Sequence, residues 1–297
     1  MKKPFFTIIV VSYNAGDKLI GTIKSIVDQK FTDYRVLIKD GMSTDGSIDK
    51  LKSTFAVEEA KEGKEGKEQK ISLLESCDNG IYHAMNIATA FLAEESEIIR
   101  QEPSFVFFLN CGDYFRNENV LGDVHDFIVK WSLKEGTTLP SIYYGDIFDC
   151  SANSKVASNP KIDDYACYRN VPSHQACFYD ERLIYGNPFE LKYRVRADYE
   201  HFLRCFYNEK AQTVYMPIVI ADYEGGGFSD KNRKISEEER REIITMYLEP
   251  SKVRKFDFLR IITLAHLRTA ISSSKITAGP YNSLKNMIYA IRGKKKS

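Results

Sequence analysis

The sequence lacks the features that mark several large protein classes. No apolar stretch reaches the roughly 20 residues that a membrane-spanning helix needs, and none of signal-peptide length precedes Ser12. The six cysteines form no C-x-x-C pair and show no zinc-like spacing. Scattered single cysteines without a signal peptide indicate a reducing compartment, so we expect a cytoplasmic protein.

The composition is that of an ordinary soluble protein, but its charge is unevenly distributed. The 297 residues are 43% hydrophobic and 28% charged, enough for one large or two small domains. Residues 251–297 hold eleven Lys and Arg against the single acid Asp257, a net charge of +10. The whole chain carries +1, so the first 250 residues carry −9, which disfavours a nucleic-acid partner. The basic tail fits either an anionic membrane surface or packed helices with a solvated basic face.

Apolar patterning predicts alternating strands and helices. The predicted strands cover 5–11, 34–39, 71–75, 104–109, 141–148, 174–180 and 213–220. The predicted helices cover 16–29, 48–54, 81–93, 119–133, 197–207 and 235–248. This alternation is typical of an α/β fold with a mainly parallel sheet and helices on both faces. We expect one domain over 1–230, a charged insertion at 57–70, and a helical, basic extension over 231–297.

Acidic residues recur where predicted strands end or helices begin. They are Asp40, Asp78, Asp113 and Asp198. Ligands of open α/β sheets bind beyond the carboxyl ends of the strands, where converging carboxylates suit a hard divalent cation and a nucleotide. A lone acid at such a place is more often a helix cap or turn former. The spacing alone therefore leaves both interpretations open.

Five motifs in order give the chain a resemblance to family 2 glycosyltransferases over roughly residues 5–230. They are Val11-Ser12-Tyr13-Asn14 with Lys39-Asp40-Gly41-Met42-Ser43-Thr44-Asp45-Gly46-Ser47, then Asp78-Asn79-Gly80-Ile81-Tyr82-His83-Ala84-Met85-Asn86, Leu109-Asn110-Cys111-Gly112-Asp113, Ser173-His174-Gln175, and Ala197-Asp198-Tyr199-Glu200. Each motif alone is weakly specific, whereas five in the same order are strong. The resemblance implies the GT-A fold and inverting transfer from a nucleotide-activated sugar.

The resemblance also implies roles for individual residues. Asp198 would be the general base, and Asp113 would bind a Mg²⁺ or Mn²⁺ cofactor. Donor contacts would come from Ser12, Tyr13, Asn14, Asp40, Asp78, Asn110 and His174. For His174, a structural hydrogen-bonding role is equally open. The family resemblance favours uridine, so the expected donor is a UDP-sugar.

Two departures and one absence refine this expectation. The usual D-x-D motif is Asn110-Cys111-Gly112-Asp113 here, which leaves one acidic metal ligand, and the paired acids after the second strand are reduced to Asp40-Gly41. The Q-x-x-R-W motif of processive synthases is absent, so we expect single-sugar addition. The expected acceptor is a glycan or lipid-linked hydroxyl, as in surface polysaccharide biosynthesis. The enzyme, a hexosyltransferase, would then act in the cytoplasm or peripherally on the inner face of the cell membrane.

Two other functions stay open from the sequence. A nucleotidyltransferase would need a Gly-rich loop bearing Arg and Lys after the first strand, and residues 12–18 do not provide it. A non-catalytic nucleotide- or sugar-binding module would explain Asn110 in place of an acid. The glycine-rich segment 225–229 could form a lid over the donor or merely a connection to the tail.

Overall fold

The computed structural model describes residues 3–60, 70–94, 103–136, 139–225, 232–262, 283, 284 and 287. Most of the charged insertion predicted at 57–70 lies outside these residues. The same holds for 226–231, which include most of the predicted lid, and for most of the tail beyond 262.

Ten strands among the described residues form one sheet. They are β1 (Phe6–Ser12), β2 (Tyr34–Asp40), β3 (Glu58–Glu59), β4 (Ile71–Glu75), β5 (Phe105–Asn110), β6 (Tyr114–Phe115), β7 (Ser141–Asp149), β8 (Ser154–Val156), β9 (Cys177–Asp180) and β10 (Gln212–Tyr223). The order is β3-β4-β2-β1-β5-β9-β7-β10-β6, with β8 paired to β7. β4, β2, β1 and β5 run parallel, so their carboxyl ends lie along one edge. β9 runs antiparallel to both β5 and β7.

Helices cover both faces of this sheet. They are α1 (Asp17–Val27), α2 (Ser47–Thr54), α3 (Ile81–Glu94), α4 (Val120–Glu135), α5 (Asp164–Arg169), α6 (Ala197–Tyr207), α7 (Arg233–Tyr247) and α8 (Pro250–Ile262). Every residue of β1 is buried, and successive side chains alternate between the faces. Ile8 and Val10 pack in a core with α1, α2 and α4, whereas Ile9 and Val11 pack with α3 and α6. The predicted α/β fold is confirmed.

Most predicted elements agree with the structure to within two residues, but the segment predicted as a strand over 174–180 divides in two. His174–Ala176 form a 3-10 turn, and only Cys177–Asp180 form β9. The prediction that His174 begins a strand was therefore wrong. The Ala176 amide donates to the Ser173 carbonyl oxygen at 2.9 Å within the turn, and Gln175 Nε2 donates to Asp113, so this segment does not pair as a strand.

The helices after residue 230 pack against the main body. Ile243, Ile244 and Leu248 on or beside α7, and Val253 and Phe256 on α8, belong to the same core as α3 and α6. The domain boundary near 230 stays a prediction. Within the residues that are described, no helix is both long and apolar enough to span a membrane.

Candidate active site

The carboxyl ends of β1 and β2 form the first part of the site. Ser12 and Asp40 are partners in the strand register, and the Gly41 amide donates to the Ser12 carbonyl oxygen at 2.8 Å. Asp40 is fully buried, and its two carboxylate oxygens accept from the Ser43 backbone N–H and hydroxyl, each at 2.7 Å. Asp40 therefore shapes the loop after β2. Its predicted contact with the base or ribose stays a prediction.

Asn14 and Tyr13 occupy the loop after β1. Asn14 has a φ of 47°, and its side-chain oxygen accepts from the Thr44 amide at 2.9 Å. This contact ties the loop after β1 to the loop after β2. The Tyr13 side chain is 67% exposed, although most large aromatic side chains in this chain are buried. An exposed ring at a strand end can stack on a base without any rearrangement of the core.

Asp78 lies beside these two loops. A Cβ added at Gly41 would stand 2.9 Å from Asp78 Oδ2 and 3.1 Å from Tyr13 Cδ2, so the three residues are in close contact. The Asp78 Oδ2 atom accepts from the Nζ of Lys39 at 2.8 Å, and Oδ1 accepts from the Gly80 amide at 3.0 Å. The structure thus brings Tyr13 and Asp78 together around a glycine that leaves room for both.

Asp113 sits on a tight turn just after β5. Its amide donates to the Asn110 carbonyl at 3.0 Å, and Gly112 between them has a φ of 100°, which favours glycine. Asp113 Oδ1 accepts from the Glu224 amide at 3.1 Å, and Oδ2 from Gln175 Nε2 at 3.0 Å. The carboxylate is 5% exposed, and this burial raises the pKa of Asp113 to about 6.

Oxygen donors and charged groups surround this turn. Asn110 ends β5, and its buried Oδ1 has no hydrogen-bond partner among the described residues. The Glu224 carboxylate lies over Gly112 and forms an ion pair with Lys18 at the start of α1. The turn therefore combines a desolvated carboxylate, an unsatisfied amide oxygen and a neighbouring ion pair.

These donors fit a hard divalent cation held jointly with a ligand. Mg²⁺ and Mn²⁺ prefer carboxylate, amide and phosphate oxygens, and Asp113 and Asn110 offer the first two. Across the described ranges, no group of three or more His, Cys, Asp or Glu side chains could hold a metal ion alone. A cation here would thus draw its remaining ligands from a bound phosphate and from water.

Asp198 lies in the first turn of α6, where a helix N-terminus stabilises negative charge. Its Oδ1 accepts from the Tyr82 hydroxyl at 3.0 Å and from the Tyr199 amide at 2.9 Å. The single Tyr82 hydroxyl proton is shared between Asp198 and the Val195 carbonyl oxygen, which lies 2.8 Å from the hydroxyl oxygen, and this links α3 to the segment before α6. Burial is the main cause that raises the pKa of Tyr82 well above its usual value, and the charge of Asp198 adds to it.

The segment before α6 is held from the C-terminal side of the chain. The carboxylate of Glu239, on α7, accepts from the backbone amides of Arg194, Val195 and Arg196 at 2.7, 3.0 and 2.8 Å. One side chain thus satisfies three successive amides. This arrangement fixes the path of the chain into the helix that carries Asp198.

The 3-10 turn at 174–176 lies between the two acids. Gln175 Nε2 donates to Asp113 Oδ2 at 3.0 Å. The negative charge of Asp198 acts on His174, where it partly opposes the effect of burial on the pKa of the imidazole. His174 is 7% exposed, and neither of its ring nitrogens has a partner among the described residues. Its ring lies 5.0 Å from that of Phe108 and 6.0 Å from that of Phe189, and burial lowers the pKa of His174. The predicted contact of His174 with the donor stays a prediction.

Sequence reasoning missed four residues that hold the site together. Gln175 and Lys39 appeared only inside motifs, whereas Glu224 and Glu239 carried no expectation. A lysine inside a buried strand was a signal that could have marked Lys39, because charged residues are rarely buried unless they are paired. For Glu224 and Glu239 no local signal exists, since their partners lie 111 and 43–45 residues away.

Comparison with known proteins gives consistent matches. The model of the family described as "Glycosyl transferase family 2" matches residues 7–95. A protein of Mycobacterium tuberculosis named PGL/p-HBAD biosynthesis glycosyltransferase is 30% identical over 234 residues, which cover 77% of this chain and 81% of that protein.

Two solved structures share the fold at low sequence identity. The S. aureus TarS structure in complex with UDP-GlcNAc has a TM-score of 0.60 and 17% identity, covering 86% of this chain and 71% of that one. The mannosyltransferase PcManGT from Pyrobaculum calidifontis, in complex with GDP-Man and Mn²⁺, has a TM-score of 0.53 and 14% identity. It is matched over 100% of this chain and 87% of its own. The sequence match to the mycobacterial relative and the order of the motifs lead to one conclusion: this chain belongs to glycosyl transferase family 2, with a GT-A fold.

Proposed function

We propose that this chain transfers a single sugar from a nucleotide-diphosphate sugar, with UDP as the first candidate, to a hydroxyl of a glycan or lipid-linked acceptor. The supporting observation is the arrangement of two acids about one turn. Asp113 bonds Gln175, and Asp198 acts electrostatically on the adjacent His174. The TarS and PcManGT structures contain UDP-GlcNAc and GDP-Man, which supports a nucleotide-sugar donor here.

The proposed cation site uses Asp113 and Asn110. A bound Mg²⁺ or Mn²⁺ would neutralise charge on the diphosphate and so make it a better leaving group. Asp113 would bind the cation while its two present hydrogen bonds hold the carboxylate in place. Lys18 and the unpartnered His174 would contact the remaining phosphate oxygens. Mn²⁺ in the PcManGT structure is consistent with this assignment.

Asp198 is proposed to act as the general base. The acceptor hydroxyl oxygen would form a bond to the anomeric carbon while its proton passes to Asp198, and the bond from that carbon to the diphosphate would break. Attack on the face opposite the leaving group inverts the configuration. Tyr82 and the Tyr199 amide both donate to Oδ1, so Oδ2 is the atom we assign to the proton.

Tyr13, Asn14, Ser12, Asp40 and Asp78 are proposed to form the nucleoside end of the site. Tyr13 would stack on the base, and Asp78 would accept from the base or the ribose. Ser12, Asn14 and Asp40 would hold the two loops that surround it. The proposal predicts that a nucleoside diphosphate binds to the chain in the absence of an acceptor.

Calorimetric titration of the purified chain with UDP, GDP, TDP and CMP, with and without Mn²⁺, tests this directly. We expect one diphosphate, UDP first, to bind far more tightly when Mn²⁺ is present. CMP serves as the control because it lacks the diphosphate. Absence of binding by every nucleotide would contradict the proposal and favour a non-catalytic sugar-binding module, for which the missing first acid at Asn110 is the specific observation.

We also propose peripheral association with an anionic membrane through α8. Arg254, Phe258 and Ile261 recur at spacings of four and three residues, so they share one face of the helix. All three are exposed, and so are the neighbouring Lys255 and Ile262. Basic and large apolar side chains on one exposed face suit an anionic bilayer surface.

Replacing Phe258, Ile261 and Ile262 together by serine should weaken binding to phosphatidylserine vesicles by roughly tenfold or more. Burying even one large apolar side chain contributes about 1.5–3 kcal/mol. Cosedimentation with vesicles measures the effect. The matched control is Leu133→Ser, which removes an exposed apolar side chain from a different helix, α4. Equal vesicle binding by the triple variant and the unaltered chain would contradict the membrane role. Deleting α8 is a poorer test because Val253 and Phe256 are buried.

A further inference from the structure

Lys39 is a fully buried charged side chain at the edge of the site. It lies in β2, directly before Asp40, and its side chain has no exposed surface. Its Nζ donates three hydrogen bonds: to the Asp40 carbonyl at 2.9 Å, the Ser76 carbonyl at 2.8 Å, and Asp78 Oδ2 at 2.8 Å. The ammonium group therefore uses all three of its donors.

A buried ion pair of this kind adds little net stability. Desolvating two charges costs several kcal/mol, and replacing such a pair by apolar residues is often neutral or stabilising. Core packing alone therefore gives no reason for a lysine at this position in a strand. Because the Lys39 side chain is fully buried, any influence on a ligand is indirect. Asp78 is the partner of Lys39 that accepts through its side chain, and that side chain retains some exposure.

Both oxygens of the Asp78 carboxylate accept hydrogen bonds. Lys39 binds Oδ2, and the Gly80 amide binds Oδ1. Gly41 leaves the space beside Oδ2 that a Cβ would otherwise fill, and Tyr13 lies on the other side of that glycine. The carboxylate is thereby fixed at the nucleoside end of the site, next to the exposed ring of Tyr13.

We infer that Lys39 is a positioning residue for donor binding. It fixes the Asp78 carboxylate, and Asp78 then contacts the nucleoside of the donor. This inference rests on the proposed function. Since Lys39 also bonds two backbone carbonyls, a purely structural role that ties β2 to the segment after β4 is the competing explanation.

A double-mutant cycle separates the two explanations, because residues that act through each other give non-additive effects. The variants are Lys39→Met, Asp78→Asn and the combination, each titrated calorimetrically with UDP and with GDP in the presence of Mn²⁺. We expect each single change to weaken binding by at least about tenfold. The combined variant should bind no more weakly than Asp78→Asn alone. The control Lys52→Met breaks the exposed ion pair with Glu75 and should bind like the unaltered chain.

Thermal unfolding without nucleotide completes the test. Lys39→Met leaves a buried carboxylate unpaired, so the combined variant should melt at a higher temperature than Lys39→Met. If Lys39→Met does not fold while the combined variant folds, the pairing with Asp78 is supported. If neither folds, Lys39 serves the fold through the carbonyl contacts, and the inference is overturned.

Binding outcomes also distinguish this inference from the proposed function. Additive losses, or unchanged nucleotide binding by a folded Lys39→Met variant, overturn the positioning role while the donor site stands. If the unaltered chain binds neither nucleotide with Mn²⁺, the proposed donor site fails and the inference fails with it.

Discussion

Asp198→Asn is expected to lower kcat by about 10²–10⁴-fold while nucleotide binding stays within a few-fold, because a general base contributes to transfer and not to holding the donor. Asparagine has nearly the same shape, and its oxygen can still accept from Tyr82 and the Tyr199 amide. The change therefore removes proton acceptance with little disturbance of α6. Turnover is measured with the donor selected by titration, and binding by calorimetry.

A matched control for this prediction is Asp123→Asn. Asp123 is likewise an acid in the first turn of a helix, on α4. The control should keep full turnover, which shows that loss of a negative charge at a helix start is not the cause. If Asp198→Asn turns over normally, the base lies elsewhere and the proposed mechanism is wrong. Loss of donor binding in that variant would instead give Asp198 a binding role.

Asp113→Asn is expected to abolish metal-dependent nucleotide binding and also to stabilise the ligand-free protein at pH 8. The first effect follows from the loss of the single carboxylate at the proposed cation site, and we expect roughly 100-fold weaker binding or more. The second follows from burial, which raises the pKa of Asp113 to about 6. At pH 8 the folded chain must hold a desolvated charge that asparagine does not carry, at a cost on the order of 3 kcal/mol. This exceeds the roughly 1 kcal/mol of the one hydrogen bond that asparagine, with a single acceptor oxygen, gives up.

The stability advantage of Asp113→Asn over the unaltered chain should increase with pH. The folded-state pKa of Asp113, about 6, lies above the unfolded value of about 3.9, so the folded state binds the proton more tightly. The stabilising contribution of Asp113 is complete below about pH 4 and is lost as the pH rises through 6. Thermal unfolding at pH 4, 6 and 8 should show the advantage of Asp113→Asn only at the higher values.

Two further measurements define the Asp113 prediction. Asp126→Asn changes an acid on α4 away from the site and should alter neither binding nor stability. Electron paramagnetic resonance of Mn²⁺ with UDP reports cation binding without any need for turnover. Undiminished Mn²⁺-dependent binding by Asp113→Asn would remove this residue from the cation site. A stability advantage that appears at pH 4 would contradict the assigned pKa.

The local parts of the fold could be predicted from the sequence because they have local causes. Strand β1 is a run of aromatic and β-branched residues up to its final serine, and α6 begins and ends at the predicted residues 197 and 207. The turn at 174–176 could not be predicted in this way, because its conformation depends on contacts made on folding. Gln175 meets Asp113 across 62 residues of sequence.

The same distinction applies to the candidate site, where residues with a local sequence signal could be predicted and residues held by long-range contacts could not. Its acids were identifiable because they follow strands or begin a helix, and the family motifs suggested a role for each. Their supporting residues were not, since Tyr82 reaches Asp198 across 116 positions and Lys39 reaches Asp78 across 39. Periodicity carries no information on such pairs. Only the burial of a lysine inside a strand hinted at one of them.

The hydrogen bonds of Glu239 restrict how hybrid enzymes can be made from this chain and another family member. Its carboxylate accepts hydrogen bonds from three backbone amides of the segment that leads into α6. Glu239 itself belongs to α7, beyond the domain boundary expected near residue 230. A hybrid enzyme that takes its C-terminal helices from another family member must therefore bring a carboxylate to the same place. Otherwise three amides lose their acceptor, and the helix that carries Asp198 loses its anchor. The C-terminal helices and the segment that leads into Asp198 should therefore be exchanged together in such a hybrid.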